Sequence, residues 1–309
     1  VTIGAMAIPE MLKRGYDRRL VVGSVAAGGT LGILIPPSIP MILYGTITDE
    51  SVGKLFMSGV VPGALLTLAF VAYIVFASWN KPREERASHE AKMKSLRENI
   101  WGLLLPVIII GGIYTGIFTP PEAAAVGTVY ALIITFFIYH SITIEDMPAI
   151  LRATIKTSCM IFAIMVGAML FGYILTVLQV PQALMSLVTD GHLNKWIVLI
   201  GINIVLLILG CVLETVSIIL ITLPMLYPII KALGFDPIWF NVVLLINMEL
   251  ALITPPVGMN LFVIKGISED SSIQDIIVGA APFAVIMILE IALLCFVPGI
   301  ATWLPSVLK

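Results

Sequence analysis

Residues 34–38 read "LIPPS" and residues 253–257 read "ITPPV", each with apolar sequence on both sides. Proline lacks the backbone N–H and clashes with the preceding helical turn, so neither segment can run through as one unbroken helix. What surrounds them decides their setting. Of the 309 residues 59% are hydrophobic and 12% charged, with a mean hydropathy of +1.08. Soluble domains carry about twice that charged fraction. Apolar runs recur at 55–78, 101–118, 123–139, 157–178, 197–213, 238–253 and 278–303. Several reach the ~20 residues that cross a bilayer core. Runs of this length exclude the short alternating strands of a membrane β-barrel. The fold class is an all-α polytopic membrane protein.

The two Pro-Pro pairs also lie in register. Under a shift of 219 positions, Met6, Pro9, Gly15, Asp17, Leu31, Pro36 and Pro37 fall on Met225, Pro228, Gly234, Asp236, Leu250, Pro255 and Pro256. With one inserted residue, Ser51, Gly59 and Pro62 fall on Ser271, Gly279 and Pro282. Glycine, proline and aspartate in register mark an internal repeat. Charge orients its copies, because Lys and Arg concentrate in cytoplasmic loops. With Lys13, Arg14, Arg18 and Arg19 inside, 13 of the 17 Lys and Arg fall in the cytoplasm, the exceptions being Lys54, Lys195, Lys231 and Lys309. Segment 81–98, with six basic and four acidic residues, is then inside, as are Lys265, Glu269 and Asp270. Asp49, Glu50 and 234–237 are outside. The copies are expected to be inverted.

Inverted repeats with interrupted helices at matching positions point to a secondary transporter with its site near the bilayer midplane. A break frees backbone groups that lipid cannot satisfy but an ion can. Half-helix N-termini favour anions, while unwound carbonyls favour Na⁺. In the first copy, Gly29 and Thr30 precede the Pro36–Pro37 break and Ser38 follows it. Gly28–Gly29 equally suits close helix packing. The second copy offers Asn247, Thr254, Pro255, Pro256, Gly258 and Asn260. Opposite them stands a hairpin tip in "GCVLETVSIILITLP", where Glu214, Thr215 and Ser217 interrupt an apolar run. A carboxylate at the bilayer centre costs ~2.5–3.5 kcal/mol on insertion scales, so Glu214 is either a packed protonated acid or part of the site. Candidate Na⁺ ligands are Thr30, Ser38, Thr215, Asn247, Thr254 and Asn260, oxygen donors that suit a hard cation. Glu249 and Glu290 have no symmetric counterpart and are expected to be structurally paired.

Other features read simply. Cys159, Cys211 and Cys295 lie in apolar runs without ligand spacing, as small packing residues without a disulfide. Segment 144–156, with Arg152 and Lys156, reads as an interfacial connector. The counterpart of the hairpin tip would precede residue 1, so the chain is expected to begin on the returning arm of its first hairpin. No HExxH, GxSxG or paired intramembrane aspartates are present, so an enzyme is not expected. Sparse intramembrane polar residues argue against a channel.

The runs "IPEMLKRGYD", "GILIPPSIPMILYG", "GIYTGIFTPPEAAAVGTVYAL", "ETVSIILITLP" and "INMELALITPPVGMNLFVIKGIS" span nearly the whole chain. In them the chain resembles the large membrane subunit of the tripartite ATP-independent periplasmic (TRAP) transporters. One departure is Pro121, where the family often has Thr in the turn after "GIFTP". The resemblance implies a bacterial inner-membrane, multi-pass, elevator-type Na⁺ symporter. It would import an organic acid anion of the C4-dicarboxylate or sialic acid class, delivered by a periplasmic substrate-binding protein. It would work with a small membrane subunit, separate or fused, in contact with membrane lipid, with no cofactor beyond Na⁺ as coupling ion and no nucleic-acid partner. The alternative is a one-component divalent-anion/Na⁺ symporter of similar architecture. Expected divisions are 1–46 and 196–266 as transport-domain parts, 47–195 as scaffold and connecting helices, and 267–309 as a cytoplasmic loop and final transmembrane helix.

Overall fold

A computed structural model describes residues 2–79, 88–180, 183, 186, 194–268 and 271–307. Residues 81–87 of the basic segment, most of the 179–195 connection, Glu269, Asp270 and Lys309 lie outside the described residues. In chain order the helices are α1 (Thr2–Lys13), α2 (Arg18–Gly28), α3 (Ile39–Thr48), α4 (Val52–Ala77), α5 (His89–Tyr114), α6 (Pro120–Ile133) and α7 (Met147–Val177). They continue with α8 (Lys195–Gly210), α9 (Thr215–Ala232), α10 (Pro237–Leu252), α11 (Met259–Ile267), α12 (Ile273–Phe296) and α13 (Gly299–Val307). Among the described residues, six segments are long and apolar enough to cross a membrane: Val52–Ala77, Lys92–Tyr114, Pro120–Ile138, Ile144–Leu175, Thr215–Ala232 and Ile273–Phe296. Their outward faces carry large apolar side chains, with Phe76 80% and Phe296 86% exposed, as lipid-facing surfaces require.

Contacts divide the chain into Val1–Lys81 with Ile164–Lys309, and Pro82–Ala163. At the centre of the first unit lies α10, buried at every residue from Trp239 to Leu252. A helix that is apolar apart from Asn241, Asn247 and Glu249 belongs in such a position. Helices α4, α8, α9 and α12 pack on it, α2 runs along α12, and α3 packs on α9.

The repeated residues make repeated local structure. Helix–turn–helix α1–α2 has its counterpart in α9–α10. Both turns place glycine in the left-handed region, Gly15 at φ +79° and Gly234 at φ +77°, where a Cβ would be strained. Asp17 and Asp236 then cap α2 and α10 by accepting from backbone N–H groups, satisfying donors the helix leaves free. Each capped helix stops ahead of a Pro-Pro pair, α2 at Gly28 and α10 at Leu252, and the peptide bond within each pair is cis. A short helix follows, and then a long one, α4 or α12, capped by Ser51 or Ser272. The sequence register placed Ser51 on Ser271. The cap falls one residue later, because Ser271 is bonded to Ser268 at 2.7 Å in the preceding turn.

In the second unit the "TPPE" turn joins α5 to α6. Glu122 accepts from both the backbone N–H (2.8 Å) and the hydroxyl (2.7 Å) of Thr119. Pro120 and Pro121 occupy the first turn, where a missing N–H costs nothing, so Pro121 fits the position at which the sequence departs from the family pattern.

Three expectations need correction. The 144–156 connector is not separate: Thr143 caps a single turn at Ile144–Asp146, and α7 then runs unbroken from Met147 to Val177. No proline after Pro148 interrupts it, so nothing ends the helix at the connector. The 278–303 run divides into α12 and α13 at Pro298, which cannot donate to a continuing helix. Cys159 is exposed, not packed inside, while Cys211 is buried and Cys295 intermediate; all three are free thiols.

Candidate substrate and cation site

At the second break, α10 ends at Leu252 with Ile253 as its C-cap, and the chain passes through Thr254, Pro255 and Pro256 before α11 starts after Gly258. The hairpin α8–α9 brings its tip to this break. The Gly258 N–H donates to the Cys211 carbonyl at 3.3 Å, and the Cys211 thiol reaches the Pro255 carbonyl at 3.6 Å. Two glycines permit the approach. Gly258 has φ +55°, and a Cβ there would lie 2.9 Å from the Thr254 carbonyl oxygen; one on Gly210 would lie 2.5 Å from the Ala251 Cβ. Glu214 is the N-cap residue of α9, exposed and with no side-chain capping bond. Thr215 is buried beside it and Ser217 half-buried. Thr254 donates its hydroxyl to the Leu250 carbonyl at 2.6 Å.

The first break has a similar economy. The Thr30 hydroxyl donates to the Ala27 carbonyl at 2.8 Å, a short 3₁₀ turn covers Leu31–Ile33, and the Ser38 hydroxyl donates to the Ile33 carbonyl. Ser38 then precedes α3 as its N-cap residue. Side-chain hydroxyls from either side of Pro36–Pro37 thus take up carbonyls that precede it.

The two copies meet at Asn260. Its amide, in the first turn of α11, donates to the Ala26 carbonyl on α2 at 3.2 Å. Around this contact lies a cavity of about 770 Å³, lined by Ser24, Gly28, Gly29, Asn260 and apolar residues from α1, α2, α4 and α11. No lysine or arginine is among the residues lining it. Gly29 and Asn260, candidates from opposite repeats, are therefore brought together. Thr254, Pro255 and Gly258 are gathered at the hairpin tip. Asn247 is held elsewhere: its amide donates to the backbone (3.0 Å) and side-chain (2.7 Å) oxygens of Asn203 on α8. Its own Oδ1 is buried without a partner, an oxygen of the kind a hard cation accepts.

Sequence reasoning passed over Ser24, Cys211 and Asn203. Cys211 contributes through its carbonyl, which any residue supplies. Ser24 and Asn203 gain their places from helix packing, which no local pattern signals. Among the described residues no group of three His, Cys, Asp or Glu could hold a metal ion.

Comparison with known proteins identifies the family to which the chain is similar. The family described as "Tripartite ATP-independent periplasmic transporter, DctM component" matches residues 1–300. The C4-dicarboxylate TRAP transporter large permease protein DctM of Pseudomonas aeruginosa is 43% identical over 309 residues, 98% of this chain and 71% of that protein. Its counterpart in Rhodobacter capsulatus is 38% identical over 328 residues, 100% of this chain and 73% of the relative. The sialic acid TRAP transporter large permease protein SiaM of Vibrio cholerae is 34% identical over 306 residues, 98% of this chain and 71% of the relative.

Proposed function

The chain belongs to the DctM-component family of TRAP transporters, a multi-pass inner-membrane transport protein and not an enzyme, and on that premise we propose that it imports an organic acid anion by Na⁺-coupled secondary transport. The substrate class is a C4-dicarboxylate or a sialic acid, as the relatives' names indicate for them. A periplasmic binding protein delivers the anion, and a small membrane subunit, separate or fused, completes the assembly.

The observation that carries this reading is the cavity at Asn260, where the first turn of one repeat's half-helix faces the Gly28–Gly29 end of the other repeat's helix. The positive end of the α11 dipole favours an anion there. The cavity supplies a hydroxyl from Ser24 and an amide from Asn260 for orientation. Na⁺ is cargo in this scheme, held by carbonyl and side-chain oxygens at the two breaks, with Thr30, Ser38, Thr215, Asn247, Thr254 and Asn260 as its candidate ligands. Residues 1–46 and 196–266 move together as the elevator, and 47–195 belongs to the scaffold and connecting helices.

Reconstitution tests the reading. Full-length protein with its small subunit, placed in proteoliposomes, takes up a labelled C4-dicarboxylate or sialic acid only when an inward Na⁺ gradient and the external binding protein are both supplied. Uptake without the binding protein would overturn the tripartite reading, and uptake indifferent to Na⁺ would overturn the coupling.

A further inference from the structure

A second hollow lies in the first unit, apart from the cavity at Asn260. It has a volume of about 360 Å³, and its walls include Asp17 and Arg19 at the start of α2, Tyr73 and Ala77 near the end of α4, and Val278 and Pro282 of α12. The polar groups of this wall carry both signs. Arg19 donates its Nε to Asp275 at 2.9 Å while its side chain stays 58% exposed, and the guanidinium fork has further N–H donors to offer. Tyr73 brings a hydroxyl on a ring held edge-on to Phe283, with centroids 5.1 Å apart. Asp17 caps α2 through Oδ1, which accepts the Leu20 N–H at 3.1 Å, so its second oxygen is left for another donor. Pro282 has no N–H to return to the Val278 carbonyl four residues earlier, which frees that acceptor as well.

This charge pattern selects among ligands. Asp275 already answers Arg19, and Asp17 sets a further carboxylate into the wall. A free anion, or a headgroup of net negative charge, is repelled there. A headgroup with a phosphate and a primary ammonium meets both halves of the wall: Arg19 and Tyr73 donate to the phosphate, and Asp17 and the Val278 carbonyl accept from the ammonium. The neighbouring surface suits the rest of a lipid. Val278, Val285 and Leu289 recur at i, i+7 and i+11 on one face of α12, and all three are exposed. Phe76, next to Ala77, and Trp79, just past the end of α4, are exposed too. The charge rule that places Arg18 and Arg19 inside sets this end of α4 at the cytoplasmic interface, the level that tryptophan favours.

We propose that the hollow between α2, α4 and α12 binds a phospholipid with a phosphate–ammonium headgroup, chemically a phosphatidylethanolamine, whose acyl chains lie along the exposed face of α12. The site is read by lipid retained and not by uptake, so it stands or falls apart from the transport reading.

The test uses full-length protein with its small subunit, stripped of lipid in detergent. Native mass spectrometry then follows binding of phosphatidylethanolamine, phosphatidylglycerol and phosphatidylcholine with identical acyl chains, and of inorganic phosphate. Wild type should hold phosphatidylethanolamine about tenfold more tightly than the other two, as for one charged hydrogen bond; the glycerol lipid is anionic and the choline lipid has no ammonium N–H. Asp17→Asn keeps the cap, since Asn and Asp cap equally well, and should abolish the preference for ethanolamine over glycerol. Arg19→Gln should weaken both lipids about tenfold, whereas Asp275→Asn, which breaks the ion pair and keeps the guanidinium, should weaken neither. Should one of these variants fail to fold, Tyr73→Phe, which removes only a hydroxyl, should still lower retention of phosphatidylethanolamine. Equal retention of the three lipids by wild type, phosphate held as tightly as lipid, or an ethanolamine preference that survives both Asp17→Asn and Arg19→Gln would overturn the proposal.

Discussion

Gly23 of α2 and Gly279 of α12 meet backbone to backbone: a Cβ on Gly23 would lie 2.0 Å from the Gly279 carbonyl oxygen, and one on Gly279 would lie 2.1 Å from the Arg19 carbonyl oxygen. Small residues at a helix crossing let two backbones approach where larger ones hold them apart. Gly279→Ala forces the helices to separate, and overpacking of this kind costs about 1–3 kcal/mol. Gly201→Ala is the control, because nothing lies within 4 Å of a Cβ there, and alanine in a helix gains about 0.5–1 kcal/mol over glycine. Thermal unfolding in detergent should therefore lower the midpoint for Gly279→Ala alone. Equal midpoints for the two variants would show that the crossing is not tight.

Asn260→Ala should impair Na⁺ dependence more than abundance. Its described bond is a single 3.2 Å contact to a neutral carbonyl, worth about 1 kcal/mol to folding. Losing one polar contact to a charged species costs about 1.5–3 kcal/mol, roughly tenfold or more in affinity. The Na⁺ concentration for half-maximal uptake should rise by that order, with membrane abundance changed little. Unchanged Na⁺ activation would remove Asn260 from the site.

Arg19 and Asp275 form one ion pair, yet truncating them should have unequal effects. The Arg19 side chain is 58% exposed, and exposed pairs are worth about 0–1 kcal/mol. Asp275 also accepts the Ser272 hydroxyl at 2.7 Å, while its own N–H donates to that oxygen at 3.1 Å. Asp275→Ala thus loses the ion pair and half of a helix cap, and should lower the unfolding midpoint more than Arg19→Ala. Unfolding midpoints for the two alanine variants check the order, and a larger loss from Arg19→Ala would contradict it.

Topology is tested by single cysteines in a background free of Cys159, Cys211 and Cys295. A cysteine at Ser88, in the basic segment, should be protected from a membrane-impermeant thiol reagent in intact cells. One at Ala232, beside Gly234, should react. Labelling at position 88 from the periplasm would defeat the inverted arrangement derived from charge.

Much of this architecture follows from residues whose chemistry is local. Proline cannot donate a hydrogen bond wherever it sits, so the breaks at Pro36–Pro37 and Pro255–Pro256 were legible at once. Gly15, Gly234, Asp17 and Asp236 act on their own turns through a left-handed φ or a cap, so the repeat in sequence became a repeat in turns and helix starts. The repeat register stops one residue short of the cap at Ser272, because Ser271 is bonded to Ser268 in the preceding turn.

What tertiary structure alone decided are meetings between distant residues of ordinary type. The sequence by itself determined a helical membrane chain with two matched breaks, because hydropathy, proline and glycine act within a few positions. It could not single out Cys211, which serves the Gly258 N–H through a carbonyl common to every residue. Nor could it bring Asn247 to Asn203 or Asn260 to Ala26. Each of those partners lies on another helix, and the packing of α2, α8 and α12 around their neighbours chooses the face each presents. Local chemistry fixes where a helix starts and stops; which of its side chains meet is settled only when the buried surfaces of several helices are fitted together.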